Sequence, residues 1–150
     1  DVAQQVAGRK RIFSTGNAPI ARQDPQIQQI VGQISAQAYA AAAVAVRAAE
    51  PAQRAYLARF GDDPEAEKAA NIDAEIESAQ GQLVIADLAL RATADLFNAL
   101  GASSASERLA LDRHWRNART HTLHDPVRWK YFHVGNYHLN GVNPPRHAWN

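Results

Sequence analysis

The stretch PEAEKAANIDAEIESAQGQLVIADLALRATADLFNALG, residues 64–101, decides the fold because it has the pattern of one long helix. Its apolar residues recur at steps of three and four, which places them on one face of a helix: Ile72, Ile76, Ala79, Leu83, Ala86, Leu90, Ala94 and Phe97. The stretch ends at Gly101, and glycine is the residue type that most often ends a helix. A helix this long buries such a stripe only against other helices, so the stretch predicts a helical bundle.

Asp-Pro pairs mark where the long helices begin. An aspartate caps a helix by accepting hydrogen bonds from its first N–H groups, and proline fits the first helical position because no donor is needed there. Three such pairs occur, at residues 24–25, 63–64 and 125–126. They predict helices from Pro25 to about Glu50, from Pro64 to about Leu100, and from Pro126 to about Asn140.

Pro51 and the segment after Gly101 set two further boundaries. Proline inside a helix removes a hydrogen bond, so Pro51 predicts the end or a kink of the first helix, followed by a short helix over 52–60. Ser104 and Glu107 form the sequence pattern of a capping box, which predicts another helix from there to about Thr120. No segment alternates as a strand would. The sequence therefore predicts an all-α fold, an antiparallel bundle of about four long helices.

The composition excludes several classes of protein. With 46% hydrophobic and 21% charged residues, the 150-residue chain is one globular domain's worth of sequence. A net charge of +1 argues against a nucleic-acid binder, and the longest apolar run, residues 38–46, is too short to span a membrane. Cysteine is absent, which excludes disulfides and thiolate metal sites and fits a reducing compartment. The start DVAQQVAG lacks Met and begins in mid-pattern, which predicts a piece of a longer chain, with N-terminal processing as the alternative.

The residues that carry chemistry concentrate in LDRHWRNARTHTLHDP, residues 111–126, with three histidines and three arginines. His121 and His124 are three residues apart and so share one face of a helix. Pro126 disfavours helix at Asp125, so the pair is predicted at a junction between two helices, where side chains can point into a cleft. Three interpretations stay open: a structural helix corner, a metal site with only two ligands, and general acid–base catalysis by an imidazole beside a carboxylate.

Basic and glycine–serine segments are candidates for binding an anion. The Arg-Lys-Arg triplet at residues 9–11 is a weak signal, since most such triplets are solvated, but it suits a phosphate. GASSAS, residues 101–106, precedes a predicted helix start, where N–H groups and hydroxyls suit a phosphate; a plain helix end followed by a cap is the alternative. Arginines recur at 113, 116 and 119, with Asp112 in reach of Arg116, which indicates a solvated face or a contact with an anion or subunit.

The segment LDRHWRNARTHTLHDPVRWKYFHVGNY, residues 111–137, resembles the C-terminal signature of flavin-dependent monooxygenases with the acyl-CoA dehydrogenase fold, in particular the dibenzothiophene and sulfone monooxygenase-like groups. The resemblance is specific over residues 111–145 and looser over RKRIF and DPQIQQIVG, residues 9–13 and 24–32. It implies that residues 1–150 form one C-terminal four-helix-bundle domain. The N-terminal helical domain and the middle β domain of such proteins would lie outside this chain.

The resemblance also implies an activity. Enzymes of this kind are two-component oxidoreductases, in which a separate reductase supplies reduced FMN and dioxygen adds to it as a flavin C4a-hydroperoxide. A small organic substrate, organosulfur in the named groups, is then oxygenated. FAD is the alternative cofactor. The resemblance further implies a cytoplasmic homotetramer that contacts neither nucleic acid nor membrane.

The candidate site residues follow from the same resemblance. His121 and His124 would line the flavin pocket, with His124 protonating or stabilising the oxygenated flavin and His121 assisting. Arg11 would contact the flavin phosphate, and Asp125 would add a cofactor contact. The loop that approaches this phosphate would comprise Gly101, Ala102, Ser103 and Ser104. No metal ligands are implied.

Two other functions stay open. An acyl-CoA dehydrogenase of the same superfamily removes a substrate proton with a carboxylate, often within a Tyr-Glu-Gly-Thr motif, and this motif is absent from the sequence. A helical oligomerisation module without chemistry is the other, because the Ala-rich segment 36–49 suits close helix packing.

Overall fold

Every regular element in the structure, a computed structural model that describes residues 2–9 and 14–145, is a helix. The α-helices are α1 (Val2–Ala7), α2 (Pro25–Ala58), α3 (Pro64–Leu100), α4 (Asp112–His124) and α5 (Val127–Asn140). Two 3-10 turns lie at Ala21–Gln23 and Ala102–Ala105. No strand occurs in these described ranges, and the predicted all-α class with four long helices is confirmed. None of the described helices combines the length and apolar content that crossing a membrane requires.

The long helix α3 has the two ends that its sequence predicts. Asp63 caps its start, because its Oδ1 accepts hydrogen bonds from the N–H groups of Glu65 and Ala66 at 3.0 and 3.1 Å. At the other end, Gly101 has a positive φ of 71° and its N–H donates to the Phe97 carbonyl at 2.7 Å. Local capping chemistry therefore fixes both boundaries of this helix.

Helix α2 differs from its prediction, because Pro51 neither ends nor breaks it. The helix runs on to Ala58, so no separate helix over 52–60 forms. Pro51 is the largest fully buried side chain of the described residues, and Ala55 in the next turn is also buried. Burial of these apolar groups offsets the missing hydrogen bond.

The predicted capping box at Ser104 and Glu107 is wrong, and α4 begins only at Asp112. Ser104 lies inside the 3-10 turn Ala102–Ala105, where its hydroxyl donates to the Gly101 carbonyl at 2.5 Å, and no α-helix follows it directly. The Ser106 carbonyl then accepts from two N–H groups, and Ala110 adopts a left-handed φ of 49°. A helix cannot continue through this conformation, which delays the start of α4.

Helix α5 has its predicted end but a different start. Gly141 has a φ of 66°, and its N–H donates to the Tyr137 carbonyl at 2.9 Å, as in a helix closed by glycine. At the start, the N-cap residue is Pro126, and no side chain caps the helix. The predicted cap by Asp125 is therefore wrong, because its carboxylate is held by residues of α3 and α5.

Of the described residues, 2–9, 14–40 and 88–119 form one compact unit. Its core joins α1, the start of α2, the end of α3 and the residue before α4: Val6, Ala21, Ile27, Leu96, Ala99, Leu100 and Leu111. The start of α2 thus packs against the end of α3, as predicted for antiparallel helices. Arg9, two residues after α1, is joined to this core, because its Nη1 donates to the Leu100 carbonyl at 2.6 Å.

A second compact unit comprises residues 41–87 and 120–145. Here the second half of α2 lies close to the first half of α3, since a Cβ placed on Gly81 would be 3.0 Å from the Cβ of Ala48. An ion pair between Arg47 and Glu77, at 2.9 Å, joins the same two helices. Absence of a side chain at Gly81 therefore permits the close helix packing that the Ala-rich segment predicts.

Asp24 caps α2 and is the buried carboxylate of the first unit. Its side chain accepts from the N–H groups of Asn17 and Gln26, both at 2.9 Å, and the residue is 3% exposed. The hydrogen bond from Asn17, supported by that from Gln26, holds the pKa of the Asp24 carboxyl below its usual value, although burial opposes the shift.

The lowered pKa predicts a pH-dependent contribution of Asp24 to stability. In the unfolded chain the carboxyl has its ordinary pKa of 3.8, so between the two pKa values unfolding takes up a proton. The contribution is complete above the ordinary value and is lost as pH falls through the folded-state pKa. We expect Asp24→Asn to flatten the decline of the thermal midpoint below about pH 4. Asp63→Asn, at the exposed cap of α3, controls for altered cap chemistry, and a wild-type profile in Asp24→Asn would contradict the expectation.

Candidate functional site

The corner between α4 and α5 carries the two histidines predicted for the active site. His121 and His124 lie in the last turn of α4, and the N–H of Asp125 donates to the His121 carbonyl at 3.3 Å. Both imidazole side chains are exposed, and neither forms a hydrogen bond or ion pair within residues 2–9 and 14–145. The rings are therefore available to a ligand.

Asp125 is fixed from two sides by residues that the sequence analysis did not single out. Its Oδ2 accepts a hydrogen bond from Gln82 Nε2 of α3 at 2.9 Å. The same oxygen lies 3.6 Å from Nζ of Lys130 on α5, and Lys130 is only 8% exposed. We call Gln82, Asp125 and Lys130 the corner clamp, since together they tie the end of α4 to α3 and α5.

Exposed aromatic side chains lie on α5 after the corner. Trp129 and Phe132 are 53% and 56% exposed and meet edge to face with ring centroids 6.2 Å apart. His133 stacks on Trp129 at 6.5 Å, and the Arg128 guanidinium lies 6.0 Å from the Trp129 centroid. This cluster presents flat apolar surface that a planar ligand or another protein surface can cover.

The Gly101–Ser104 loop, predicted to approach a phosphate, lies in the first unit. Ser104 is 2% exposed, and both its N–H and its hydroxyl donate to the Gly101 carbonyl. Ala102 and Ser103 are exposed. Only part of the loop is thus available for an anion. Arg11, predicted for the same phosphate, lies outside the described residues.

The arginine row on α4 shows the predicted local pair. Arg116 Nε lies 2.8 Å from Asp112 Oδ2, and both side chains are more than half exposed. An exposed pair of this kind contributes little to stability. This part of the row is therefore a solvated face, which is one of the two interpretations that its spacing allows.

The metal-ligating side chains and a surface cleft also bear on the candidate site. Across the described ranges, no three His, Asp or Glu side chains come together as a metal site requires. A cleft of about 520 Å³ opens where α3 begins, and it contains none of the predicted site residues. Its lining is Pro64, Glu65, Glu67, Lys68, Ile72, Glu75, Asn143 and Pro144.

Comparison with known families identifies the domain. Residues 1–129 match the family described as acyl-CoA dehydrogenase, C-terminal domain. The chain belongs to this family. Its helical fold is accordingly the acyl-CoA dehydrogenase C-terminal domain, which confirms the predicted fold class.

Individual relatives of this acyl-CoA dehydrogenase C-terminal domain are named as monooxygenases. The chain is 36% identical to a dibenzothiophene monooxygenase of Mycolicibacterium goodii over 122 residues, which are 81% of the chain and 28% of that protein. FMN-bound TdsC from Paenibacillus sp. A11-2 aligns over 99% of the chain and 36% of its own, with 33% identity and a TM-score of 0.83. Methanesulfinate monooxygenase MsuC from Pseudomonas fluorescens aligns over 99% and 38%, with 26% identity and a TM-score of 0.87. The chain thus spans about a third of its relatives' length.

Within this acyl-CoA dehydrogenase C-terminal domain, the roles of the candidate residues stay predictions. The structure brings His121, His124 and Asp125 together at one corner, and it describes Gly101–Ser104 within the other unit. Gln82 and Lys130 were missed. The sequence signal for Lys130 is its place on the inward face of α5. Gln82 has no such signal, because it lies 43 residues from Asp125 in the chain.

Proposed function

We propose that this chain acts as the C-terminal domain of a two-component, FMNH2-dependent monooxygenase that oxygenates a small organosulfur compound or a related organic molecule. The observation that carries the proposal is the pair of exposed imidazoles at the α4–α5 corner, which have no partner in the described part of the chain. The relatives named as dibenzothiophene and methanesulfinate monooxygenases support the reaction and the substrate class.

In this proposal the two imidazoles handle protons at the reacting oxygen. An imidazole can donate a proton or a hydrogen bond, so we assign that role to His124, and His121, one helical turn away, assists. The reduced flavin, when bound, activates dioxygen as a flavin hydroperoxide. Because both rings are exposed in this domain, no side chain of their own helix has to move before they reach a ligand.

The proposed cofactor contacts fit FMN in part. Ser104 is held by its own loop, so we assign the phosphate to the exposed Ala102 and Ser103, with Gly101 permitting the turn. Arg11 would add a positive charge beside the phosphate. Asp125 would make a separate contact with the cofactor. The relative described as FMN-bound supports FMN over FAD as the cofactor.

The proposal includes the setting of the enzyme. We place it in the cytoplasm as a homotetramer, supplied with reduced FMN by a separate flavin reductase. Nucleic acid and membranes are not among the proposed partners.

A second candidate is a helical assembly module without chemistry of its own. Large apolar side chains with more than two thirds of their surface exposed favour it: Tyr39, Val46, Phe60 and Leu139. Where such side chains form a contiguous patch, they mark a surface that another protein covers. Assembly and catalysis are compatible, so the two candidates differ only in what the histidines do.

Oxygen isotope transfer tests the proposed function directly. The complete polypeptide that carries this domain is combined with FMN, NADH, a flavin reductase and dibenzothiophene under ¹⁸O₂. We expect a sulfur-oxygenated product that contains ¹⁸O and whose formation requires the reductase. Anaerobic bleaching of bound flavin by an acyl-CoA, without oxygenated product, would instead indicate an acyl-CoA dehydrogenase.

A further inference from the structure

Lys130 is a charged side chain in an unusual place. Its ammonium group belongs to a residue that is 8% exposed, with only 10% of the side chain accessible. Lysine is almost never buried to this extent unless it is paired, because removing its charge from water is costly. Its partner is the Asp125 carboxylate, with Nζ and Oδ2 3.6 Å apart. The buried charge at this position therefore serves to pair with Asp125, which an apolar side chain could not do.

Gln82 contacts the same carboxylate oxygen from another helix. Its Nε2 donates to Asp125 Oδ2 at 2.9 Å, and Gln82 is itself half-buried. One oxygen atom thus receives a hydrogen bond from α3 and the charge of a lysine from α5. Two independent elements fix the side chain of the residue that directly follows His124.

Gln82 and Lys130 hold the Asp125 carboxylate away from the start of α5, which it could otherwise cap. Helix α5 has no side-chain cap, since its N-cap residue is Pro126. An aspartate just before a helix ordinarily accepts from the unpaired N–H groups of the first turn. Lys130 and Gln82 hold the carboxylate elsewhere, while the N–H of Asp125 donates to the His121 carbonyl directly after the end of α4.

We propose that Lys130 and Gln82 are positioning residues that act through Asp125 on His124. The inference rests on the proposed function, because it gives His124 its task. Asp125 shares a peptide bond with His124, so the clamp fixes where the Cα–Cβ bond of His124 points at the end of α4. Without it, the carboxylate turns to the first turn of α5 and the imidazole moves with the corner.

The test is a set of variants in the complete enzyme. Lys130→Met keeps the length and apolar stem but removes the charge. We expect it to lower kcat by about 10-fold or more, as a displaced catalytic group does, with KM for the substrate within about twofold. Lys130→Arg restores the charge and is expected to recover most of the loss. Lys68→Met is the matched control, since Lys68 forms an exposed ion pair with Glu65 at 3.7 Å and has no link to the corner.

A double-variant comparison separates positioning from a general loss of structure. If Lys130 acts through His124, Lys130→Met has no further effect on kcat once His124 is alanine. Crystal structures supply a readout apart from activity: the His124 ring is displaced in Lys130→Met and in place in Lys130→Arg. If Lys130→Met does not fold, Gln82→Leu takes its place with the same expectations.

Two results would overturn the inference. One is an equal loss of kcat from Lys130→Met with and without His124. The other is an unmoved His124 ring in the Lys130→Met crystal structure. Wild-type turnover in His124→Ala would instead refute the catalytic role in the proposed function, and the crystal structures would still decide whether the clamp places the ring.

Discussion

Replacing His124 by alanine in the complete enzyme is expected to lower product formation by about 100-fold or more, the size of a general acid–base contribution. The imidazole is exposed at the end of α4 and has no hydrogen-bond or ion-pair partner among the described residues, so its loss removes no internal hydrogen bond. We therefore expect turnover to fall while the stability of the protein stays unchanged. His121→Ala is expected to cause a smaller loss, because we assign His121 an assisting role.

The measurement is steady-state turnover with a flavin reductase, together with the molar mass in solution. His114→Ala is the matched control, since His114 is also exposed on α4 but lies three turns before the corner. It should retain nearly full turnover. If His124→Ala has normal turnover but an altered molar mass, the histidines belong to an interface and not to catalysis. That result would favour the assembly module.

The boundaries of α3 were predictable because their causes are local. Asp63 and Gly101 lie next to the helix ends and satisfy the free N–H and C=O groups there. The histidine pair was placed at a helix corner for the same reason, since Pro126 restricts the residue before it. Signals of this kind act over a few residues and can be read without knowing the fold.

Pro51 and Ser104 show where local signals fail. Pro51 stays inside α2 because its ring is fully buried, and burial depends on residues far away in the chain. Ser104 matches a capping box, but its hydroxyl bonds back to Gly101 while Leu109 and Leu111 turn into the core of the first unit. Tertiary packing selects between the local alternatives in both cases.

The corner clamp could not be found from the sequence for a related reason. Asp125 next to proline predicts a helix cap, and the local pattern contains nothing against it. The competing partners, Gln82 and Lys130, come from two other helices. Their choice depends on how α3 and α5 pack within the second unit, which no pattern in residues 111–126 records.

Leu96→Ala is expected to cost about 2–5 kcal/mol of the free energy of unfolding, as burial and cavity effects combine. Leu96 is 4% exposed and belongs to the cluster in which α1, α2 and α3 meet in the first unit. Its neighbour Ala99 is completely buried, and Leu100 is 6% exposed. Removing three carbon atoms here leaves a cavity that rigid helices on several sides cannot close, so the cost exceeds that of the lost apolar burial alone.

Urea unfolding of the chain, followed by its helical circular dichroism, measures this cost against a matched substitution. Leu139→Ala removes the same atoms from α5, where the side chain is 84% exposed, and should change the free energy by no more than about 0.5 kcal/mol. The contrast isolates burial, because residue type and helical setting are the same in both variants. Equal losses in the two would mean that the α1–α2–α3 cluster does not stabilise the first unit. A large loss confined to Leu96→Ala would locate the folding energy of that unit where the end of α3 packs against the start of α2.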